Sequence, residues 1–293
     1  MDLRTPGILG YFDTMSGAEG VSFALAVEKL GYSALWIPET FGRDPFVMAT
    51  HLLNATSHMI VGTAIANIAN IWKREPMAAS AAARNLAELF PDRFILGLGV
   101  SAGPFMLRNG LRYNKPVAFM REYLEHIKAA PYKAPQPKAE PPIVIAGLLP
   151  KMLALGAELA DGIITAMIPP NHIARMRAQI GPSKWLLAQQ MVMLETDASK
   201  ARTAVREFMR FYFNAPPYRR NFQLMGFEES DLRGGGSDLL IDSIIAWGSE
   251  RSLRERIDAH YQAGANHVYL IPLSADGGRL PDMRVVEALA PRQ

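Results

Sequence analysis

The sequence contains no cysteine, which excludes disulfides, thiolate metal sites and cysteine nucleophiles. It has no apolar run near the roughly 18 residues that a membrane helix needs. Its opening, MDLRTPGILG, has no apolar core followed by a cleavage site, so no targeting is expected and a reducing cytoplasm is the expected location. Excess charge is also scarce, because 31 Lys+Arg against 28 Asp+Glu leave only +3. The basic residues are scattered rather than gathered on one arm, so neither nucleic acid nor a membrane is expected as a partner. What is present is 49% hydrophobic and 20% charged residues over 293 positions, the composition of a soluble globular chain with a sizeable core.

Short apolar runs rich in β-branched residues alternate with longer runs of helical spacing. Strands are expected at residues 7–12, 34–38, 59–66, 93–100, 143–147, 162–168, 185–194 and 267–273. Helices are expected at 16–30, 45–57, 76–90, 116–130, 150–159, 170–180, 198–213, 249–263 and 281–289. Six of these helices open at a proline, which is pre-organised for a first helical turn. Strands apolar on both faces, such as FILGLGV and HVYLIPL, suit a parallel sheet covered by helices. Eight of them with interleaved helices predict the α/β class and a closed (β/α)₈ TIM barrel, with an open doubly wound sheet as the rival. We expect one domain over residues 1–293. An irregular insertion at 214–248, marked by prolines, paired arginines and GGGS, precedes the eighth strand. The proline-rich segment 131–142 reads as a stiff connector under the barrel.

In such a barrel the chemistry sits at the carboxyl ends of the strands. The six histidines mostly miss those ends, and His172, which does not, reads first as a surface residue at a helix start. No Ser/His/Asp triad and no metal-ligand spacing is present. The strand ends carry instead Glu39, the stretch Ala64 to Asn70, and GVSAG with Gly99, Val100 and Ser101. Gly97 and Gly99 fit barrel packing equally well. After the fifth strand come Gly147, Leu148, Leu149, Pro150 and Lys151, where a helix N-terminus and a lysine would favour an anion, though an ordinary turn explains the same residues. Gly277 and Gly278 are a competing anion site. Asp161 reads as a cap before strand six, and Met167 ends that strand facing the expected pocket.

ALWIPETFGRDPF, GTAIANI with WKREP after it, DRFILGLGVS and PPIVIAGLLPKMLALGAELADGII occur in this order. Together they resemble the luciferase-like monooxygenase superfamily, and within it the actinobacterial deazaflavin F420-dependent oxidoreductases. The resemblance covers nearly the whole chain. It implies a barrel with an insertion near the seventh strand and a deazaflavin lying across the mouth. Glu39 takes the place of the family's acid at the end of strand two. Ala64 and Ile65 match a non-prolyl cis peptide behind the ring, followed by Ala66 and Asn67. Gly147 to Lys151 hold the position of the loop that binds the cofactor phosphate. Where the family's sugar-phosphate dehydrogenases have a histidine after the strand-two acid, this chain has Thr40. Their strand-four glutamate is absent, with Val100 and Ser101 there, so glucose 6-phosphate is not the expected substrate. Ala102 stands where nearer relatives have a histidine, which leaves the catalytic proton donor unassigned. The IANIAN repeat reads as a three-residue insertion that shifts the loop register between Asn67 and Asn70.

The implied activity is hydride transfer between F420 and an organic substrate, with the cofactor carrying the difficult chemistry. An FMN-dependent monooxygenase on the same barrel, a non-catalytic flavin-binding barrel, and a lyase or isomerase using Gly277 and Gly278 are the alternatives. A charged oligoglutamate tail on F420 would favour basic residues near the mouth, and Arg43, Lys73, Arg74 and Lys151 are the candidates. The expected partners are a small-molecule substrate and at most a second copy of the chain, as a homodimer.

Overall fold

The computed structural model describes the chain apart from residues 40–41, 65–71, 73, 109, 111–112, 279 and 293, and only the backbone of 105 and 108. Among the described residues nine strands form one parallel sheet: β1 (Gly7–Leu9), β2 (Ala34–Ile37), β3 (Ile60–Thr63), β4 (Phe94–Leu98), β5 (Ile143–Ala146), β6 (Gly162–Ile164), β7 (Trp185–Met193), β8 (Ile245–Trp247) and β9 (His267–Pro272). Strands β1 to β7 pair in chain order, β7 pairs with β9, and β9 pairs with β1. Eight strands therefore close a ring, in the eight places expected from the sequence, and the open-sheet rival is excluded. The ninth, β8, lies outside the ring on β7.

Helices cover the ring: α1 (Gly17–Lys29), α2 (Pro45–Ala55), α3 (Pro76–Leu89), α4 (Gly103–Arg108), α5 (Pro116–Ala129), α6 (Pro150–Leu159), α7 (Pro170–Ile180), α8 (Ala198–Met209), α9 (Pro216–Leu224), α10 (Asp238–Ile244), α11 (Glu250–Gln262) and α12 (Met283–Ala288). Local chemistry sets several starts. Ser16 and Glu19 close a capping box on α1, and Asp44, Asp197 and Ser249 each accept from amides of the first turn that follows, satisfying donors that a helix leaves unpaired.

Residues 214–248, read as irregular, contain α9 and α10 and end in β8. The local cause is visible afterwards: Pro216 opens α9, and Ser237 caps α10 through Leu240 N. Room for β8 comes from the length of β7. One edge of β7 pairs with β9 from Leu187 to Val192; on the other, β6 pairs only with Trp185 to Leu187, and β8 takes over at Met191. Helix α4 was also absent from the sequence reading.

Alternation along the strands divides the core in two. Leu35, Ile37, Val61, Leu96, Ile145 and Ile163 pack outward under the helices. Ala34, Trp36, Ile60, Ile95, Val144, Ile164 and Leu187 point inward, and that inner cluster runs on into Val205, Met209, Phe213, Phe222 and Ile241 around the insertion. Trp36 fills the barrel because its neighbours have no side chain: a Cβ on Gly62 would lie 2.3 Å from the Trp36 ring, and one on Gly7 only 2.9 Å from its Nε1. The indole N–H donates to His267 Nε2 at 3.0 Å. Nδ1 of His267 must then carry the proton, and it donates to Leu3 O at 3.0 Å. No described helix is long and apolar enough to cross a membrane.

Burial holds His267 neutral, with its pKa pulled down to about 4, and His260, bonded to Gln190 Oε1 at 2.8 Å, is pulled down to about 3. Unfolding releases both imidazoles to their ordinary value of 6.5. Between pH 6.5 and 4 the unfolded chain thus binds more protons than the folded one, and stability falls as pH falls. His267 alone contributes roughly 3 kcal/mol to this slope. Urea unfolding of the wild type across this window should show the loss, and His267→Gln should flatten it in part, His260 and His172 retaining their contributions.

Candidate functional site

Two connected cavities open at the carboxyl ends of the ring strands. A slot of about 90 Å³ lies over the barrel axis, and a chamber of about 430 Å³ continues from it over β4 and β5. Ala146, Leu148 and Tyr218 line both.

The slot is built by residues that follow or end the strands: Leu9 and Tyr11 after β1, Pro38 after β2, Ala64 after β3, Gly147 after β5, and Thr165 to Met167 after β6. Gln189 and Tyr269 line it from within the ring, Tyr212 from the turn after α8, and Tyr218 from the insertion. Tyr269 stands on Trp36, ring centroids 5.6 Å apart, and donates to Thr165 O at 2.7 Å. Burial raises the pKa of Tyr11, Tyr218 and Tyr269, so each is a neutral phenol at any ordinary pH. Thr165 Oγ1 and Gln189 Oε1 are buried with no hydrogen-bond partner. A buried polar atom left unpaired costs about 1–3 kcal/mol, and two in one slot are what a polar ligand would relieve. Met167 adopts φ +57° and Ser101, at the chamber wall, φ +56°. Left-handed backbone is uncommon away from glycine and clusters where a ligand is gripped.

The chamber has three walls. Val100, Ser101 and Ala102 form one, with the loop held from behind by Trp72, whose Nε1 donates to Val100 O at 2.9 Å and whose ring stacks on Phe119 at 4.1 Å. Tyr113 and Val117 form the second, beside Leu148 to Met152. Phe211, Pro217, Tyr218, Arg220 and Leu224 form the third. Helix α6 starts here, and its N-cap, Leu149, has no side chain to cap the first turn. The positive end of the helix and the exposed Lys151 both therefore face the chamber without a protein anion.

Of the residues singled out in the sequence, the structure brings Ala64, Gly147, Leu148 and Met167 to the slot, and Val100, Ser101, Leu148, Leu149, Pro150 and Lys151 to the chamber. Gly99 is buried at the end of β4. Glu39 lines neither cavity; its carboxylate meets Arg74 at 3.3 Å, and Arg74 also meets Asp44 at 2.8 Å. Ile65, Ala66, Asn67, the expected cis peptide and the IANIAN register lie outside the described residues, as does Lys73. Two of the basic candidates are committed elsewhere: Arg74 to these carboxylates, and Arg43 to Phe12 O and Met15 O. His172 is half-buried on α7, with its pKa lowered by burial and then by Arg175, and lines neither cavity. Gly277 and Gly278 sit in an exposed turn. Sequence reasoning missed the insertion wall and the slot tyrosines. PPYRRNFQL carries the signal of a proline-initiated helix, but nothing local tells that it folds over the mouth.

The luciferase-like monooxygenase family model matches residues 5–267. A Mycobacterium tuberculosis protein assigned as a coenzyme F420-dependent oxidoreductase is 26% identical, over 92% of this chain and 94% of its own. Among solved structures, an F420-dependent secondary alcohol dehydrogenase in complex with an F420-acetone adduct superposes with a TM-score of 0.76 at 15% identity, covering 99% of this chain and 97% of that one. The coenzyme F420-dependent tetrahydromethanopterin reductase of Methanopyrus kandleri does so with 0.76 at 16% identity, covering 99% and 98%. At these identities the two structures establish the likeness of fold.

Thr165→Val tests whether the slot is organised for a ligand or for stability. The substitution keeps the shape and removes a hydroxyl that has no hydrogen-bond partner among the described residues. The variant should unfold at the same temperature or higher, gaining up to about 1 kcal/mol, whereas a structural threonine would lose stability.

Proposed function

The chain belongs to the luciferase-like monooxygenase family, and from that premise we propose that it is an F420-dependent oxidoreductase acting on a small organic substrate in the cytoplasm. The observation that carries this reading is the joined slot and chamber. The slot is edged by neutral phenols, with two buried polar atoms lacking partners among the described residues. The chamber continues it to an uncapped helix N-terminus and Lys151. A planar heterocycle with polar edges and a phosphate-bearing side chain has this distribution of chemistry, and the residues fit it. The cofactor would supply the hydride.

The protein's own part is to hold and orient. Ala64 and Met167 would hold the ring, Thr165 and Gln189 would meet its polar groups, and Leu148 to Lys151 would hold the phosphate. Tyr218, at the junction of the two cavities, makes no side-chain hydrogen bond among the described residues and keeps its proton through burial. It is the group placed to hand a proton to the substrate from Oη, the role left open by Ala102. The whole chain, 1–293, acts as one unit in this reading, with 214–248 closing the site.

Two measurements test it. Titrations of the purified protein with F420 and with FMN, followed by fluorescence, should give affinity at least about tenfold tighter for F420, a difference of about 1.4 kcal/mol; equal or reversed affinities reject the assignment. Lys151→Ala should weaken F420 binding by about 1–3 kcal/mol while leaving unfolding unchanged, because an exposed lysine without a protein partner contributes little to stability. Loss of stability with binding intact would make Lys151 structural and place the phosphate elsewhere.

A further inference from the structure

We infer that Arg220, on the insertion helix α9, binds the carboxylates of the cofactor's oligoglutamate tail, so that the insertion is part of the cofactor site. The inference rests on the F420 reading above and goes beyond it in assigning the tail and the residue that selects for it.

The chamber contains two cationic side chains, Lys151 and Arg220, and no acid among its lining residues. Both are exposed, and neither makes an ion pair or side-chain hydrogen bond among the described residues. Of the other arginines around Arg220, Arg233 is likewise without an ion pair among the described residues, but it lines a separate groove that carries Glu207; the rest are held. Arg219, the neighbour of Arg220, is held by Glu229 and by Phe213 O at 3.0 Å; Arg206 pairs with Asp238, and Arg210 with Glu207 at 3.0 Å. The direction of α9 explains the difference. Pro217, Arg220 and Leu224, at i, i+3 and i+7, share the face that lines the chamber, while Asn221 and Phe222 anchor the other face in the core. The rest of the chamber wall on this side is apolar: Phe211, Pro217 and Leu224. Two uncompensated cations in an apolar enclosure select a ligand with two separated anionic groups. The phosphate falls to Lys151 and the α6 N-terminus, and the guanidinium, a planar fork of donors, suits the carboxylates that follow.

A second route for the tail exists. A groove beside Lys151 is lined by Lys115, also without an ion pair, and by Arg121, which Glu158 holds, but it carries Glu122 and Glu125 as well. Two carboxylates there offset its two unpaired lysines, whereas the chamber has no acid among its lining residues, so the route past Arg220 is the favoured one.

The experiment titrates wild type, Arg220→Ala, Arg220→Lys and Lys115→Ala with two probes, F420 carrying its glutamates and F420 stripped of them but retaining the phosphate. Arg220→Ala should lose about tenfold in affinity for the tailed form and stay within about twofold for the stripped form, with Arg220→Lys in between and Lys115→Ala near wild type. Salt should weaken the tailed form more steeply than the stripped one in wild type, and this difference should vanish in Arg220→Ala. Equal loss for both probes, no loss, or a tail-specific loss confined to Lys115→Ala each overturns the inference while leaving the cofactor assignment standing. Failure of wild type to bind either probe overturns both.

Discussion

A single bulky side chain inside a closed ring sets the terms for the rest of the molecule. Trp36 occupies the barrel axis with no exposure, and the ring closes around it because Gly7 and Gly62 leave the space that the indole takes. Its N–H cannot remain unpaired there, so it is bonded to His267, which must be neutral and must pass its other proton to Leu3 O. That short relay ties β2 to β9 and to the N-terminal segment. It also determines what stands above: Tyr269, two residues on from His267 and therefore on the same inward face, rests on the indole and reaches Thr165 O. Gln189 is paired in register with Tyr269. The floor of the slot is thus the upper surface of the packing around Trp36, which is why its polar atoms are held in place with no partner of their own.

The asymmetry of the mouth has a different origin. β7 is nine residues long while β6 has three, so the carboxyl half of β7 would present an open edge beside the slot. An exposed edge of this kind invites misplaced pairing, and β8 occupies it. The chain between β7 and β8 must then travel out and back across the mouth, and α8, α9 and α10 are that path. Their apolar residues merge with the inner core rather than with the outer one, so the wall formed by Phe211, Tyr218 and Leu224 is anchored to the barrel interior.

Charge is distributed on the same principle. Most arginines around the site are held by carboxylates or carbonyls, as Arg43, Arg74, Arg206 and Arg219 are. Cations left without an anion are costly to the free protein only to the extent that water is excluded; Lys151 and Arg220 are exposed and keep their hydration.

The sequence by itself determined the ring. Eight apolar, β-branched segments separated by proline-started helices have few ways to bury both faces of each strand, and a closed parallel barrel is one that does. It also singled out the loop from Gly147 to Lys151, which the structure brings to the cavities, because glycine, proline and lysine at a strand-to-helix junction are a local signal. What it could not carry was the pairing of distant charges and the placement of the insertion. Nothing near Glu39 or Arg74 in the chain says that they meet. Nothing in PPYRRNFQL says that one arginine turns to Glu229 and the next to the chamber. Those outcomes follow from the unequal lengths of β6 and β7 and from which face of α9 the inner core accepts. Both are properties of packing between segments far apart in sequence, and local propensity holds no record of them.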